Sequence, residues 1–242
     1  VPGETALELR IIEKTFHPPG AKPRAVLRDI TFALAPGEAA ALFGPSGAGK
    51  TTLLRIAAGL DTGFAGSARR GKGRLGMLFQ EPRLLPWLSI EANLRLVWQP
   101  GMPSFDAEAA LAAVDLSGIA TLRPGAISLG MARRVALARA LIVDPALLIL
   151  DEPFASLDPA QAARAAAVIG ERASSRGTAI LFTTHELDHA VAHAGRLIVL
   201  GGTPATIAAD IALAALGQAG RAEAREALRR EFPFLCTGAW PA

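Results

Sequence analysis

Residues 44–51 read Gly-Pro-Ser-Gly-Ala-Gly-Lys-Thr. Glycines at 44, 47 and 49 let a backbone turn tightly and bring its N–H groups close to an anion. A helix starting at Lys50 adds the partial positive charge of its N-terminus. The chemistry such a loop suits is the grip of a polyphosphate: the Lys50 ammonium reaches the β- and γ-phosphates, and the Thr51 hydroxyl offers an oxygen to Mg²⁺. Average residue usage makes a chance match in a chain of this length an event on the order of one per cent. Far downstream, Leu147-Leu148-Ile149-Leu150-Asp151-Glu152 closes an apolar run with two carboxylates. Neighbours at a strand end point to different sides, so the pair can divide the work. Asp151 is expected in the Mg²⁺ shell, and Glu152 is expected to polarise an attacking water.

These groups need strands and helices to hold them, and the hydrophobic pattern supplies both. Apolar runs at Leu7 to Ile12, Val26 to Ala33, Ala39 to Phe43, Arg74 to Phe79, Leu147 to Leu150, Thr178 to Thr183 and Leu197 to Leu200 read as strands. Helical spacing marks Lys50 to Ala58, Pro159 to Ser174 and Glu186 to Ala194 between them, the alternation expected of a largely parallel α/β sheet. The strand signal is lost from Glu81 to about Asp144, where Ile90 to Trp98, Asp106 to Val114 and Leu129 to Val143 read as helices of an insertion.

At 242 residues the chain suits one α/β domain and can bury about 70 to 75 per cent of its unfolded surface. A single cysteine, Cys236, cannot form an internal bridge and fits a reducing compartment. Hydrophobic residues make up 51% and the mean hydropathy is +0.33. Even so, the longest charge-free stretch, Leu197 to Ala209, is too short for a bilayer's ~30 Å of hydrocarbon and contains Gly201, Gly202 and Pro204. The net charge of +3 comes from scattered basic residues, tyrosine is absent and aromatics are 5%. Nucleic-acid stacking is therefore not expected.

With these residues in place the chain resembles the nucleotide-binding subunit of ABC transporters over essentially its whole length. The elements occur in that family's order, beginning with Phe16, the phosphate loop and Gln80 in Phe79-Gln80-Glu81-Pro82, and continuing through Asp151-Glu152, Ser156-Leu157-Asp158 and His185. The resemblance implies an α/β P-loop nucleoside triphosphatase: one domain over residues 1–242, mostly parallel, with an N-terminal antiparallel part and a helical subdomain at about 81–144. It implies ATP and Mg²⁺ as ligands, with Phe16 stacked on adenine. Gly44, Pro45, Ser46, Gly47, Ala48, Gly49, Lys50, Thr51 and Thr52 are expected around the phosphates. Thr51, Gln80 and Asp151 are expected at the metal, and Glu152, His185, Gln80 and Lys50 in catalysis. Ser128, Gly130 and Asp158 are expected to meet the nucleotide of a second ATP-binding subunit. A membrane-spanning permease, a substrate-binding protein and a peripheral position on the cytoplasmic face of the inner membrane are implied by the same resemblance.

The pattern departs from the family at Ile127-Ser128-Leu129-Gly130, where members usually have Leu-Ser-Gly-Gly. Ser128 can still cap the following helix, and a first helical residue at φ near −63° tolerates leucine. The expected penalty is steric, a slowed hydrolysis where Leu129 crowds a phosphate or a dimer seam; the alternative is a weakly hydrolysing or regulatory ATP-binding subunit that works beside an intact partner. The stretch Phe79 to Leu88 is similar to importers of nitrate, sulfonates and taurine, while Gly130 to Arg134 is similar to lipid-transport relatives. Leu84, Leu85 and Trp87 suit equally a groove for a partner's short helix and the core of the insertion. His185-Glu186-Leu187-Asp188-His189 formally matches the zinc-protease pattern H-E-x-x-H. His185 is expected at the mouth of a helix, however, with His189 and His193 solvated or packed. The Arg221 to Arg230 tail reads as a charged helix with a solvated face and a Glu226 to Arg230 pair.

Overall fold

A computed structural model describes residues 5–102, 104–155 and 157–232; Ser156 and Cys236 lie outside the described residues. The chain order is β1 (Leu7–Phe16), β2 (Arg24–Leu34), β3 (Ala39–Phe43), α1 (Lys50–Ala57), β4 (Ala65–Arg70) and β5 (Leu75–Leu78). Then come α2 (Ile90–Arg95), α3 (Ala107–Ala112) and α4 (Leu129–Ile142), followed by β6 (Leu147–Leu150), α5 (Pro159–Arg176) and β7 (Ala179–Thr184). The remainder is α6 (Leu187–His193), β8 (Arg196–Gly201), β9 (Thr206–Ala212) and α7 (Gln218–Glu231).

Six strands pair in the order β5-β6-β7-β3-β8-β9. The first five run parallel and β9 returns antiparallel along β8. The strands of its interior are unbroken apolar runs because both faces are covered. Leu148, Leu150, Ile180, Phe182, Leu197 and Val199 point into one core, which they share with α2 to α6. Leu147, Ile149, Leu181, Ile198 and Leu200 point into the other, beneath α1 and the antiparallel sheet. That second sheet has the order β2-β1-β4, and β1 alternates in the manner of a half-covered strand, with Leu7, Leu9 and Ile11 buried between exposed Glu8, Arg10 and Ile12.

Between β5 and β6 the described residues form helices and one 3₁₀ turn, Pro124–Ala126. Leu94, Leu111, Val135 and Leu137 of these helices join the same core as Leu148 and Phe182, so the helical part is continuous with the sheet rather than a separate globule. Its helices are shorter than their periodicity suggests: Ser89 and Asp106 cap α2 and α3, which end at Arg95 and Ala112 rather than Trp98 and Val114.

Two strands carry too little pattern to be expected from the sequence. β4, Ala-Gly-Ser-Ala-Arg-Arg, has almost no apolar surface to reveal it, and it exists because its backbone pairs with β1. Gly66 makes that approach possible, since a Cβ there would stand 2.0 Å from the Arg10 carbonyl oxygen. β9 does alternate, with Ile207, Ala209 and Ile211 half-buried, but its one-sided cover makes the signal weak.

The tail also departs from expectation. α7 packs on α6: Leu228 is buried, Arg225 and Arg229 pair with Asp188, and Arg221 donates to the Val191 and Ala194 carbonyls. Glu226 pairs with Arg229 at 3.2 Å, whereas the Arg230 guanidinium donates to the Glu226 backbone carbonyl.

The apolar loop before α2 divides its side chains. Leu84 packs on the core, whereas Trp87 is 66% exposed. Asn93, fully buried, holds this loop: its Oδ1 accepts from the Leu85 N–H at 2.7 Å and its Nδ2 donates to the Leu85 and Ser89 carbonyls. Asn93→Ala strands these backbone groups and is expected to lower stability by about 2 kcal/mol, read as a drop in the denaturation midpoint.

Candidate functional site

Four neighbouring parallel strands, β5, β6, β7 and β3, end on one edge of the sheet. Just beyond their ends stand Gln80, Asp151 with Glu152, His185, and the loop from Gly44. Phe16, Arg24 and Val26 from the antiparallel sheet and Pro18 from the loop between β1 and β2 close the side of a cleft of about 550 Å³. Ser46, Gly47, Gly49, Lys50, Thr51, Thr52, Gln80, Asp151 and Glu152 line the rest. A ligand crevice beyond the carboxyl ends of parallel strands is the site this architecture generally provides.

The loop wraps Lys50. Its ammonium donates to the carbonyls of Gly44 at 2.6 Å and Pro45 at 2.9 Å, and the residue is only 8% exposed. Burial pushes the Lys50 pKa down, while the Glu152 and Asp151 carboxylates pull it back up. Gly49 adopts φ 82°, which favours glycine, and a Cβ there would also force the Leu27 side chain, 2.6 Å away at Cδ2, to shift. Ala48, by contrast, faces inward and packs in the core beneath the loop.

Asp151 is 5% exposed and held from two sides. The Thr51 hydroxyl donates to its Oδ2 at 2.9 Å, and the Thr183 hydroxyl donates to its Oδ1 at 2.7 Å. Glu152 sits at φ 52°, an uncommon conformation for a residue with a side chain, and its N–H donates to Thr183 Oγ1 at 2.9 Å. Its Oε1 lies 3.1 Å from His185 Nδ1. The two carboxylates therefore point to different partners. Thr183 and Arg24 are not apparent from the sequence; nothing there separates Thr183 from its neighbour Thr184 at the end of the strand.

His185 precedes Glu186, the N-cap residue of α6. His189 and His193 lie further along that helix, their rings 5.4 and 5.0 Å from the Phe154 ring. They are packed, and the H-E-x-x-H spacing does not describe one continuous helix face. Phe16 is exposed at the end of β1, with the Lys14 ammonium 4.6 Å from its ring centroid.

Ser128, Gly130 and Asp158 do not line the cleft. Ser128 caps α4 by accepting from the Met131 N–H at 3.2 Å, and Asp158 caps α5 by accepting from the Gln161 N–H at 2.8 Å. Leu129 is the first residue of α4 and 60% exposed. α4 is also tied to the cleft: Arg139 donates to the Arg83 and Pro82 carbonyls just after Gln80, and Arg133 donates to the Ala155 carbonyl just after Glu152.

A phosphate-type loop on β3 facing a strand-end carboxylate pair defines a P-loop nucleoside triphosphatase. The model of the ABC transporter family matches residues 27–155. Among similar proteins are the aliphatic sulfonates import ATP-binding protein SsuB 1 of Xanthomonas axonopodis pv. citri, 42% identical over 84% of this chain and 84% of that one, and SsuB 2 of Pseudomonas syringae pv. tomato, 38% identical over 85% and 86%. The chain belongs to the ABC transporter family and is an ATP-binding ATPase subunit of it. The ATP-binding cassette MJ0796, solved as a dimer in a post-hydrolysis state bound to ADP and Pi, has the same fold, with a TM-score of 0.77 over 86% of this chain and 98% of that chain at 24% identity.

Gly49→Ala is expected to destabilise the ligand-free protein by ~2 kcal/mol through the forced left-handed conformation and the clash with Leu27, seen as earlier thermal unfolding without nucleotide.

Proposed function

We propose that the chain binds Mg·ATP in this cleft and hydrolyses it to drive an importer of aliphatic sulfonates or a related small anion such as nitrate or taurine. The observation that carries the reading is convergence. A buried lysine in a glycine loop, a doubly held aspartate, and a glutamate beside a histidine all meet at the ends of adjacent strands. The likeness to sulfonate-import ATP-binding proteins supports the cargo class.

The donor set suits Mg²⁺, because the Thr51 hydroxyl and the Asp151 carboxylate are hard oxygen ligands already 2.9 Å apart. Held by these oxygens, a bound Mg²⁺ would supply positive charge against the phosphate oxygens. Gln80, at the mouth of the same cleft, is proposed as a third metal contact. Lys50 and the loop amides hold the phosphates, with Ser46 and Thr52 beside them, and Phe16 stacks on the base. Glu152 orients and polarises the attacking water, and His185 keeps the Glu152 carboxylate aimed while reaching toward the terminal phosphate.

Ser128, Gly130 and Asp158 serve the ATP of a second subunit in a head-to-tail dimer, and their separation from this chain's own cleft supports that division. The dimeric state of the MJ0796 structure agrees with it. No helix among the described residues is long and apolar enough to cross a membrane, so transport requires a membrane-spanning permease. Exposed Trp87 on the loop after Gln80 is a contact for it. A substrate-binding protein supplies the anion outside, and this subunit works at the cytoplasmic face.

The exposure of Leu129 favours a slow form of the same activity. Within the chain the Leu129 side chain is 60% exposed, so it is open to whatever meets the N-terminus of α4. In the proposed head-to-tail dimer this exposed side chain would crowd the partner's nucleotide. Leu129→Gly is expected to raise ATP turnover in the assembled dimer; equal rates discard the steric argument. Lys50→Ala is expected to weaken Mg·ATP binding at least about tenfold by calorimetry, the loss of a charge-assisted phosphate contact. Unchanged affinity in folded protein overturns the functional reading.

A further inference from the structure

Thr183 is fully buried, and its hydroxyl is committed twice, as donor to Asp151 Oδ1 at 2.7 Å and as acceptor from the Glu152 N–H at 2.9 Å. β6 and β7 pair in register up to Leu150 and Phe182, so the residues that follow, Asp151 just past β6 and Thr183 within β7, stand level with one another. A single oxygen thus holds the side chain of one carboxylate residue and the backbone of the next. Thr184 does not duplicate it, because alternation along the strand turns Thr184 to the Glu186 N–H at 3.0 Å. The remaining strand residues, Ala179, Ile180, Leu181 and Phe182, have no side-chain donor.

We infer that Thr183 is a positioning residue that presets the metal and water geometry of the site through Asp151 and Glu152. With Oδ1 occupied by Thr183, the plane of the Asp151 carboxylate is set and Oδ2 is directed at Thr51, the side from which a cation would be shared. With its N–H held, Glu152 stays at φ 52° and its carboxylate stays beside His185. Such strained conformations persist only where surrounding contacts over-determine them, and the Thr183 hydrogen bond is a contact of that kind. A valine has the same shape without the hydroxyl. It leaves Oδ1 and the Glu152 N–H without this partner and releases both groups.

The inference rests on the roles proposed for Asp151 and Glu152, and its test separates the two. ATP affinity of the full chain is measured by calorimetry with and without Mg²⁺, together with turnover and thermal unfolding, for Thr183→Val and Thr183→Ser. Thr183→Val is expected to bind metal-free ATP as the natural chain does. The gain in affinity on adding Mg²⁺ is expected to shrink about tenfold, the loss of one buried hydrogen bond to a charged group. Turnover is expected to fall by at least as much, and Thr183→Ser restores both. Should Thr183→Val not fold, Thr183→Cys, of serine's size and a weak donor, is read against Thr183→Ser in its place. A wild-type Mg²⁺ gain and turnover in the folded hydroxyl-free variant overturn the inference. Failure of Lys50→Ala to weaken binding overturns the functional reading instead, whatever Thr183 does.

Discussion

The position of β7 between β6 and β3 is the constraint on which the molecule depends. Parallel strands deliver their C-terminal loops to one edge, and this order sets Asp151, His185 and the Gly44 loop side by side. Thr51 and Asp151 are 100 residues apart in the chain yet share a hydrogen bond of 2.9 Å. The two cores serve this arrangement. One face of each strand is buried against the helices and the other against α1 and the antiparallel sheet, and each fully buried Leu, Ile or Phe contributes roughly 1.5–3 kcal/mol toward keeping the edge intact.

The site built on that edge is held by hydrogen bonds among its own groups. Lys50 is already turned to the loop carbonyls, and its ammonium is less costly to keep charged because two carboxylates stand nearby. Glu152 is held at positive φ, and Asp151 accepts two hydroxyl donors. Preorganised groups need little rearrangement when charge develops, which is the source of their value in phosphoryl chemistry. α4 extends this order beyond the cleft, with Arg139 and Arg133 anchored to the chain after Gln80 and after Glu152, while the helix's own N-terminus carries exposed Leu129.

Legibility depended on how local each signal is. Gly44 to Thr51 could be read because the loop's chemistry is contained in eight consecutive residues, and the sheet interior because strands buried on both faces must be apolar throughout. β4 could not, since its stability comes from the backbone of β1 and the absent side chain of Gly66. The α7 tail looked solvated because its arginines find their acids on α6, more than 30 residues away. Asn93 and Thr183 were invisible for a related reason: a polar side chain reveals nothing until the fold shows which backbone groups or carboxylates it meets.

The amino-acid order by itself determined the phosphate-loop chemistry, the carboxylate pair, the alternation of strands and helices and the break at Leu129. Each depends on residues adjacent in the chain or on a period of two or 3.6. Tertiary structure alone decided which strand ends became neighbours, that Leu84 packs while Trp87 stays exposed, that His189 and His193 pack against Phe154, and that one threonine hydroxyl joins Asp151 to Glu152. Those outcomes are contacts between distant segments, and such contacts come into being only when the chain has closed its loops and excluded water from both faces of the sheet.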